Sequence, residues 1–252
     1  MDLYGLIGYP LAHSFSKDFF NEKFANEGID AEYRNFEIKD LSPLREIIDS
    51  NPSLKGFNVT SPFKEKIIEY LNEITPEAKA IGAVNVVKVI RNGNDVILEG
   101  HNSDIIAFRK TIEPMLDRLH TKAMVLGTGG AAKAVIGALN SMSIQTKIVS
   151  RFRRMGCIRY EDLTDEIVKE YNLIINCTSV GMYPETDVCP KIPYESVNTR
   201  SILYDLIYNP DETLFLKKGK EKGAVVKNGL EMLLLQAYES WNIWNGISQN
   251  NL

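Results

Sequence analysis

The stretch Ala123-Met124-Val125-Leu126-Gly127-Thr128-Gly129-Gly130-Ala131-Ala132 decides the fold of this chain. An apolar run precedes the glycines, and a segment whose apolar residues have helical spacing follows them: Ala134, Val135, Ala138 and Leu139. A strand, a tight glycine turn and a helix in this order bring backbone N–H groups close to a phosphate. The spacing G-x-G-G-A-A lacks the full G-x-G-x-x-G pattern, so an ordinary strand-to-helix turn is the alternative. The flanking strand and helix favour a nucleotide site.

The next predicted strand, residues 146–149, is followed by Ser150-Arg151-Phe152-Arg153-Arg154. Units that bind NAD usually carry Asp or Glu here, where the carboxylate meets the ribose hydroxyls. This chain has no carboxylate at that place and has three arginines, which favours a 2′-phosphate and therefore NADP. The alternative is a solvated basic turn.

The connection after this strand is unusually short. Only a few residues separate Arg154 from the next predicted strand at Ile158. Parallel neighbours in a sheet are usually joined by a crossover of about a dozen residues or more, most often a helix. We therefore predict that the crossover helix is missing here or reduced to a turn.

Strands and helices alternate along the whole chain, which predicts α/β layers. A helix predicted over 105–112 leads toward the glycine turn, so a domain boundary is expected near Asn102. A long helix with an apolar face begins at Leu230. Further strands are predicted at 3–8, 33–38, 173–178, 202–206 and 224–226, and a hairpin over 84–99.

The composition is that of an ordinary globular protein. Its 252 residues, 44% hydrophobic and 25% charged, suit one large or two modest domains with a substantial core. A net charge of −4 argues against a general nucleic-acid binder. No apolar run approaches the roughly 20 residues of a transmembrane helix, and the N-terminal residues lack the pattern of a signal peptide. The three cysteines have no C-x-x-C spacing, so we predict a cytoplasmic protein without disulfides or bound metal.

Lys64 is the candidate for acid–base chemistry. Residues 56–64, Gly-Phe-Asn-Val-Thr-Ser-Pro-Phe-Lys, are predicted to run from a strand into a helix, with Ser61 as its cap and Pro62 in the first turn. The helix dipole disfavours a cation in the first turn, so a lysine held there suits proton transfer. An exposed surface lysine is the alternative, and the residues alone favour it.

Four other polar residues stand out by position. Ser14 and Ser16 lie two apart between a strand and a helix, so in an extended segment both hydroxyls would face one ligand. Spacing alone favours a capping role instead. Asn85 interrupts an apolar run and, if buried, needs hydrogen-bond partners from the core or from a ligand. Asp104 is predicted at a helix start, where an acid is ordinary for dipole reasons alone.

An ordered set of motifs resembles the shikimate dehydrogenase family over essentially the whole chain. Each motif is weak by itself, but the ordered set at these spacings is highly specific. The motifs are Ser14-Phe15-Ser16, Asn58-Val59-Thr60-Ser61-Pro62-Phe63-Lys64, Gly82-Ala83-Val84-Asn85, Asn102-Ser103-Asp104, the glycine turn, Asn176-Cys177-Thr178-Ser179, Tyr204-Asp205 with Tyr208-Asn209-Pro210, and Gly229-Leu230 through Gln236.

The resemblance implies a role for each matching residue. Lys64 and Asp104 correspond to the catalytic pair, which also contacts the substrate, and Ser14 and Ser16 to serines that bind its carboxylate side. The other implied substrate contacts are Asn58, Thr60, Asn85, Tyr208 and Gln236. The implied cofactor contacts are Gly127, Thr128, Gly129, Gly130 and Ala131 at the diphosphate, Ser150 and Arg151 at the 2′-phosphate, Leu206 and Gly229 near the nicotinamide, and Thr178.

The implied reaction is reversible hydride transfer between NADPH and 3-dehydroshikimate, giving shikimate for aromatic amino-acid biosynthesis. Reducing a ketone also needs a proton on oxygen, which Lys64 can supply while Asp104 orients it. The implied architecture is a substrate domain, 1–101, with the C-terminal helices 229–252 packed back on it, and a Rossmann-like NADP-binding domain, 102–228.

Three positions depart from the family pattern: Ser61 replaces a hydrophobic residue, Ser103 a threonine and Ser150 an asparagine. One alternative function is a quinate or mixed quinate/shikimate dehydrogenase; such relatives often use NAD, and Ser150-Arg151 counts against them. The other alternative is a non-catalytic ligand-binding paralogue, which the presence of both Lys64 and Asp104 disfavours. The expected partner is a small-molecule substrate, with no nucleic acid and no membrane, and the protein is expected to be a monomer or homodimer.

Overall fold

The computed structural model describes residues 1–11, 14–93 and 95–247. The chain divides into two compact units, Met1–Ser103 with Ala237–Leu252, and Asp104–Gln236. The predicted domain boundaries, 1–101 with 229–252 and 102–228, remain a prediction. Among the residues that the structure describes, no helix is long and apolar enough to cross a lipid bilayer.

The first unit is built on a mixed six-stranded sheet in the order β2-β1-β3-β5-β6-β4. β1 pairs in parallel with both β2 and β3, and the predicted hairpin, β5 with β6, is antiparallel. The elements are β1 (Asp2–Gly8), α1 (Phe15–Glu27), β2 (Ala31–Glu37), α2 (Leu44–Ser50), β3 (Leu54–Val59), β4 (Glu73–Ile74), α3 (Pro76–Ile81), β5 (Val86–Asn92) and β6 (Asp95–His101).

The sheet of the first unit is covered on both faces. Side chains of β1 alternate between them: Leu3 and Ile7 join one apolar cluster, whereas Tyr4 joins an aromatic cluster on the opposite face. The C-terminal half of a long helix, α8 (Leu230–Asn245), completes the aromatic cluster. There the Trp244 ring lies 4.8 Å from the Tyr4 ring, and its indole N–H donates to the Val87 carbonyl over 3.1 Å.

The second unit holds an all-parallel sheet in the order β12-β11-β10-β7-β8-β9. In chain order this is the 3-2-1-4-5-6 arrangement of dinucleotide-binding folds, with the order reversing between β7 and β10. The predicted Rossmann-like architecture is therefore confirmed. The elements are α4 (Ser103–Ile112), which runs in from the first unit, β7 (Lys122–Leu126), α5 (Gly130–Ser141), β8 (Gln145–Ser150), β9 (Cys157–Arg159), α6 (Asp165–Glu170), β10 (Leu173–Asn176), β11 (Ile202–Asp205), α7 (Leu214–Glu221) and β12 (Val225–Lys227).

The missing crossover helix is also confirmed. Only residues 151–156 join β8 to its parallel neighbour β9, and none of them is helical. This short link suffices because β9 pairs only with the last three residues of β8, from Ile148 opposite Cys157 to Ser150 opposite Arg159. The chain therefore has to return along β8 by only about 7 Å, two residues of strand rise.

Candidate active site

The predicted substrate residue Asn58 lies near the end of β3 and is 6% exposed. Its amide oxygen accepts from the Tyr33 hydroxyl over 2.8 Å. Its amide nitrogen donates to the Ser240 hydroxyl over 2.8 Å and to the Asn85 carbonyl over 3.2 Å. Both amide hydrogens are thus used within the first unit, where they tie β3 to the C-terminal helix and to the segment before β5.

Asn85 continues this hydrogen-bond chain and is 3% exposed. Its amide nitrogen donates to the Ser103 hydroxyl over 3.0 Å, and its amide oxygen accepts from the Ser103 N–H over 2.8 Å. The Ser103 and Ser240 hydroxyls are 3.4 Å apart. The predicted need of a buried Asn85 for partners is confirmed, and these partners hold it beside the start of α4.

The two predicted carboxylate-binding serines lie at the start of α1. Ser14 occupies the N-cap position but makes no capping bond, and its buried hydroxyl has no hydrogen-bond partner among the described residues. Ser16 lies within the first turn and hydrogen-bonds Tyr33. Burial raises the pKa of Tyr33 well above its ordinary value, while the Ser16 bond acts in the opposite direction. The capping alternative is wrong for Ser14, and so is the assumption that the pair lies in an extended segment.

The backbone of Leu11 is held by side chains that the motifs did not single out. The Leu11 N–H donates to the Glu37 carboxylate over 2.7 Å, and the Asn35 amide donates to the Leu11 carbonyl over 3.5 Å. Both side chains come from the end of β2. The only sequence signal for them is that polar residues stand where this parallel strand ends.

Lys64 lies in a turn rather than in a helix. After β3 the chain turns at residues 61–65, and a 3-10 helix begins only at Lys66. The predicted helix cap at Ser61 and the predicted place of Lys64 in a first helical turn are therefore wrong, and the dipole effect expected there does not apply. The Lys64 carbonyl instead accepts from the Val84 N–H over 2.8 Å, which holds the half-buried lysine next to the Asn85 segment.

Asp104 opens the second unit, and its predicted position at a helix start is confirmed. It lies in the first turn of α4 and is 5% exposed.

The glycine turn after β7 fits a phosphate group. Gly127 has φ of 114°, a left-handed conformation that favours glycine, and a Cβ there would lie 3.2 Å from the Cys177 carbonyl oxygen and from the Thr178 methyl group. Gly129 is the N-cap of α5 and supplies no side-chain cap, and a Cβ on it would meet nothing within 4 Å. The first N–H groups of this twelve-residue helix are therefore open to an anion. They lie where the strand order reverses, the usual ligand position in such sheets.

Thr178, Leu206, Tyr208 and Gly229 follow the ends of β10, β11 and β12, and Gln236 lies within α8. Gly229 passes so close to Leu206 that a Cβ at Gly229 would lie 2.1 Å from the Leu206 carbonyl oxygen. Tyr208 is 36% exposed. The Gln236 amide donates to the Leu233 carbonyl of its own helix over 2.9 Å.

A short turn, closed by a hydrogen bond between a side chain and the backbone, shapes the predicted 2′-phosphate site. The buried Ser150 hydroxyl accepts from the Phe152 N–H over 3.2 Å. Between them the exposed Arg151 guanidinium lies 5.7 Å from the centre of the Phe152 ring. Such turns form with Asn and, more weakly, with Ser at their first position, so serine can do at this place what asparagine does.

Comparison with known proteins bears on the family of this chain. The profile described as the shikimate dehydrogenase substrate binding domain matches residues 6–87. A Methanococcus maripaludis (strain C7) protein named shikimate dehydrogenase (NADP(+)) is 39% identical, over an alignment that covers 97% of this chain and 91% of the relative. The chain belongs to the shikimate dehydrogenase family.

Two solved structures of the shikimate dehydrogenase family extend this result to the fold. Shikimate dehydrogenase 1 from Peptoclostridium difficile has a TM-score of 0.83 and 36% identity, covering 100% of this chain and 94% of that protein. The Thermus thermophilus enzyme in complex with NADP(H) and shikimate has a TM-score of 0.85 and 28% identity, covering 98% of this chain and 94% of that protein. The family resemblance seen in the ordered motifs is thus confirmed.

One departure from the shikimate dehydrogenase pattern lies in the buried network. Ser103, where the family has threonine, is fully buried and bonds to Asn85 through both its hydroxyl and its N–H. Threonine would keep the hydroxyl, so the replacement preserves the hydrogen bonds and removes only a methyl group.

Proposed function

We propose that this protein catalyses the reversible, NADP-dependent reduction of 3-dehydroshikimate to shikimate, a step in aromatic amino-acid biosynthesis. The observation that carries the proposal is its similarity, over 97% of the chain, to a relative named shikimate dehydrogenase (NADP(+)). The residues Lys64 and Asp104, which the family's chemistry needs, are both present.

Substrate binding is proposed for the polar groups that the family motifs indicate. The buried Ser14 hydroxyl, which has no partner among the described residues, is a donor available to a carboxylate beside Ser16. Both amide hydrogens of Asn58 are already donated within the first unit. Its proposed role is therefore to accept a hydrogen bond from the substrate through its amide oxygen, or to hold the neighbouring residues in place. The remaining proposed contacts to the hydroxylated ring are Thr60, Lys64, Asn85, Asp104, Tyr208 and Gln236.

The proton chemistry is assigned to Lys64 and Asp104. Bound NADPH supplies the hydride to the carbonyl carbon, and NADP⁺ accepts it in the reverse direction. The Lys64 ammonium donates a proton to the carbonyl oxygen and stabilises the negative charge that develops there. The Asp104 carboxylate holds the ammonium in orientation and balances its charge.

Cofactor binding is proposed for the glycine turn after β7 and for the ends of four other strands, β8, β10, β11 and β12. The open N–H groups of α5 and the left-handed Gly127 support a diphosphate at this turn. Arg151, held by the Ser150 turn, is proposed to bind the 2′-phosphate. The full proposed set is Gly127, Thr128, Gly129, Gly130, Ala131, Ser150, Arg151, Thr178, Leu206 and Gly229.

The reaction is tested by following reduced-nicotinamide absorbance with shikimate or quinate and with NADP⁺ or NAD⁺. Turnover with shikimate and NADP⁺ well above the other three combinations is the expected result. Preferred turnover of quinate or use of NAD⁺ would contradict the proposal and favour the quinate alternative. Binding of shikimate without turnover in any combination would favour a ligand-binding paralogue.

Two variants test the proposed roles separately. Lys64→Ala should lose turnover by about two to four powers of ten while still binding shikimate in calorimetry, because a general acid contributes about that factor. Arg151→Ala should weaken NADP⁺ more than NAD⁺, since only NADP⁺ carries the 2′-phosphate. Retained turnover in the first variant, or equal weakening of both cofactors in the second, would contradict the assigned role.

We also propose a cytoplasmic location and a monomeric or homodimeric state. The three cysteines Cys157, Cys177 and Cys189 are free thiols, which supports a reducing compartment. Light scattering during gel filtration measures the molar mass, and a tetramer would contradict the second part.

A further inference from the structure

The Asp205 carboxylate is completely buried at the end of β11. One oxygen accepts from the Asn176 amide over 3.0 Å and from the Ile207 N–H over 3.1 Å. The other oxygen accepts from the Thr213 hydroxyl over 2.6 Å. Burial raises the pKa of Asp205 to about 6 while these hydrogen bonds act to lower it. All three partners donate, so the carboxyl group serves here as an acceptor, as a carboxylate does.

Asn176, at the end of the neighbouring strand β10, links Asp205 to Thr178 through the hydrogen bonds of its side-chain amide. The Asn176 amide oxygen accepts from the Thr178 N–H over 3.1 Å and from the Thr178 hydroxyl over 2.7 Å. The Thr178 hydroxyl in turn accepts from the Val180 N–H over 3.2 Å. The loop after β10 is therefore shaped by which way the Asn176 amide faces.

Asp205 fixes that orientation together with the Val180 carbonyl, which also accepts from the Asn176 amide nitrogen over 3.4 Å, and with the Thr178 N–H. An ionised carboxylate only accepts hydrogen bonds, so the amide nitrogen of Asn176 has to face Asp205. The amide oxygen is then turned toward Thr178, where two donors meet it. Turning the amide over would place oxygen against the carboxylate and two hydrogens against the Thr178 N–H, which costs several hydrogen bonds at once.

We propose that Asp205 is a positioning residue that holds the Thr178 loop and the Leu206–Tyr208 loop in their binding conformation, through the Asn176 amide and through the Ile207 N–H. This inference rests on the proposed function, because Thr178, Leu206 and Tyr208 matter only if they contact cofactor or substrate. Asp205 itself does not touch the reactants.

The experiment compares Asp205→Asn with the matched control Thr213→Val. An asparagine at 205 has one acceptor oxygen in place of two, so the three donors from Asn176, Ile207 and Thr213 can no longer all be met and the two loops lose part of their support. Thr213→Val removes a bond to the other oxygen of the same carboxylate and leaves in place the bonds from Asn176 and from the Ile207 N–H. Both variants should lose thermal stability, which makes Thr213→Val a control for destabilisation alone.

Asp205→Asn should raise the KM for NADP⁺ and for shikimate by about three- to tenfold, the effect of about one lost hydrogen bond, with kcat within about twofold. Thr213→Val should leave both KM values unchanged. A merely destabilised enzyme has fewer active molecules, which lowers kcat and leaves KM as it was. Unchanged KM values in Asp205→Asn, or equal changes in both variants, would overturn the proposal.

A double-mutant cycle tests the route through Asn176. NADP⁺ affinity is measured by calorimetry, which needs no turnover and so stays informative if the proposed reaction fails. Thr178→Val and Asp205→Asn should weaken NADP⁺ binding less than additively when combined, because both disturb the same loop. Full additivity would overturn the coupling, whereas an inactive wild type that binds NADP⁺ would contradict only the proposed reaction.

Discussion

The Asn58 amide donates to the Ser240 hydroxyl over 2.8 Å although 182 residues separate them. This bond joins the C-terminal helix to the strand that precedes Lys64. It lies inside a buried chain that also contains Tyr33, Asn85 and Ser103. The C-terminal helix is therefore part of the polar framework of the first unit as well as of its aromatic cluster.

Ser240→Ala should lower the free energy of unfolding by about 1–3 kcal/mol, because it leaves a buried amide donor of Asn58 without its partner. Urea denaturation measures the change. The matched control is Ser53→Ala at an exposed position, expected to change it by less than about 0.5 kcal/mol. Equal losses in the two variants would show that the buried bond stabilises nothing.

Glu37→Ala should raise the KM for shikimate several-fold and leave the KM for NADP⁺ unchanged. The Glu37 carboxylate holds the Leu11 N–H, three positions before Ser14 in the sequence. Glu32→Ala is the matched control, since Glu32 lies on the same strand but pairs with Arg34. Steady-state kinetics on both variants decides the outcome, and a similar KM for shikimate in the two would contradict a role for Glu37.

Gly229→Ala should destabilise the second unit by about 1–3 kcal/mol, the usual cost of an added methyl group without room, and should impair turnover. The new methyl carbon would lie 2.1 Å from the Leu206 carbonyl oxygen, so the backbone near the proposed nicotinamide site has to move. Gly129→Ala, where a Cβ meets nothing within 4 Å, should cost less than about 1 kcal/mol in the absence of cofactor. Similar melting temperatures for the two variants would show that the close approach is not maintained in solution.

Stability should depend on pH through Asp205. Its pKa in the folded protein, about 6, lies above the ordinary value of 3.8, so between these values the folded state binds more protons than the unfolded state. The free energy of unfolding therefore falls as the pH rises through this window, by about 3 kcal/mol in total, and levels off above pH 6.

Asp205→Asn isolates this effect, because asparagine does not titrate. Thermal melts from pH 4.5 to 7 should show wild type losing stability relative to the variant as the pH rises. Burial lowers the pKa of His101, which acts in the opposite direction, but His101 is present in both proteins and its effect cancels in the difference. A pH-independent difference would show that the carboxyl group titrates normally.

Local patterns in the sequence were sufficient to predict the fold of the second unit. An apolar run, a glycine turn and a helical period predict the unit that begins at β7, because strands and nucleotide-binding turns depend on neighbouring residues. The short distance from Arg154 to Ile158 excludes a crossover helix by length alone, and the structure has none there. The start of α4 at Ser103–Asp104 also followed from local pattern.

Local signals were insufficient where long-range packing competes with them. Ser61-Pro62 has the pattern of a helix start, yet the chain turns there and Lys64 is held by the Val84 N–H. Ser14 has the pattern of a helix cap, yet its hydroxyl makes no capping bond. In both cases the hydrogen bonds that form, or fail to form, depend on residues distant in the sequence. A short stretch around Ser61 or Ser14 does not contain those residues.

Spacing and motif order determined the family, the Rossmann-like unit, the shortened crossover and the identity of the candidate residues. Only the tertiary structure decided that Ser240 completes the Asn58 network, that Glu37 holds the Leu11 N–H and that Asp205 accepts from the Asn176 amide. Hydrogen bonds between buried side chains depend on which strand and helix ends the folded chain brings within about 3 Å. Residues distant in sequence meet at those ends, and their partners are set by the path of the whole chain.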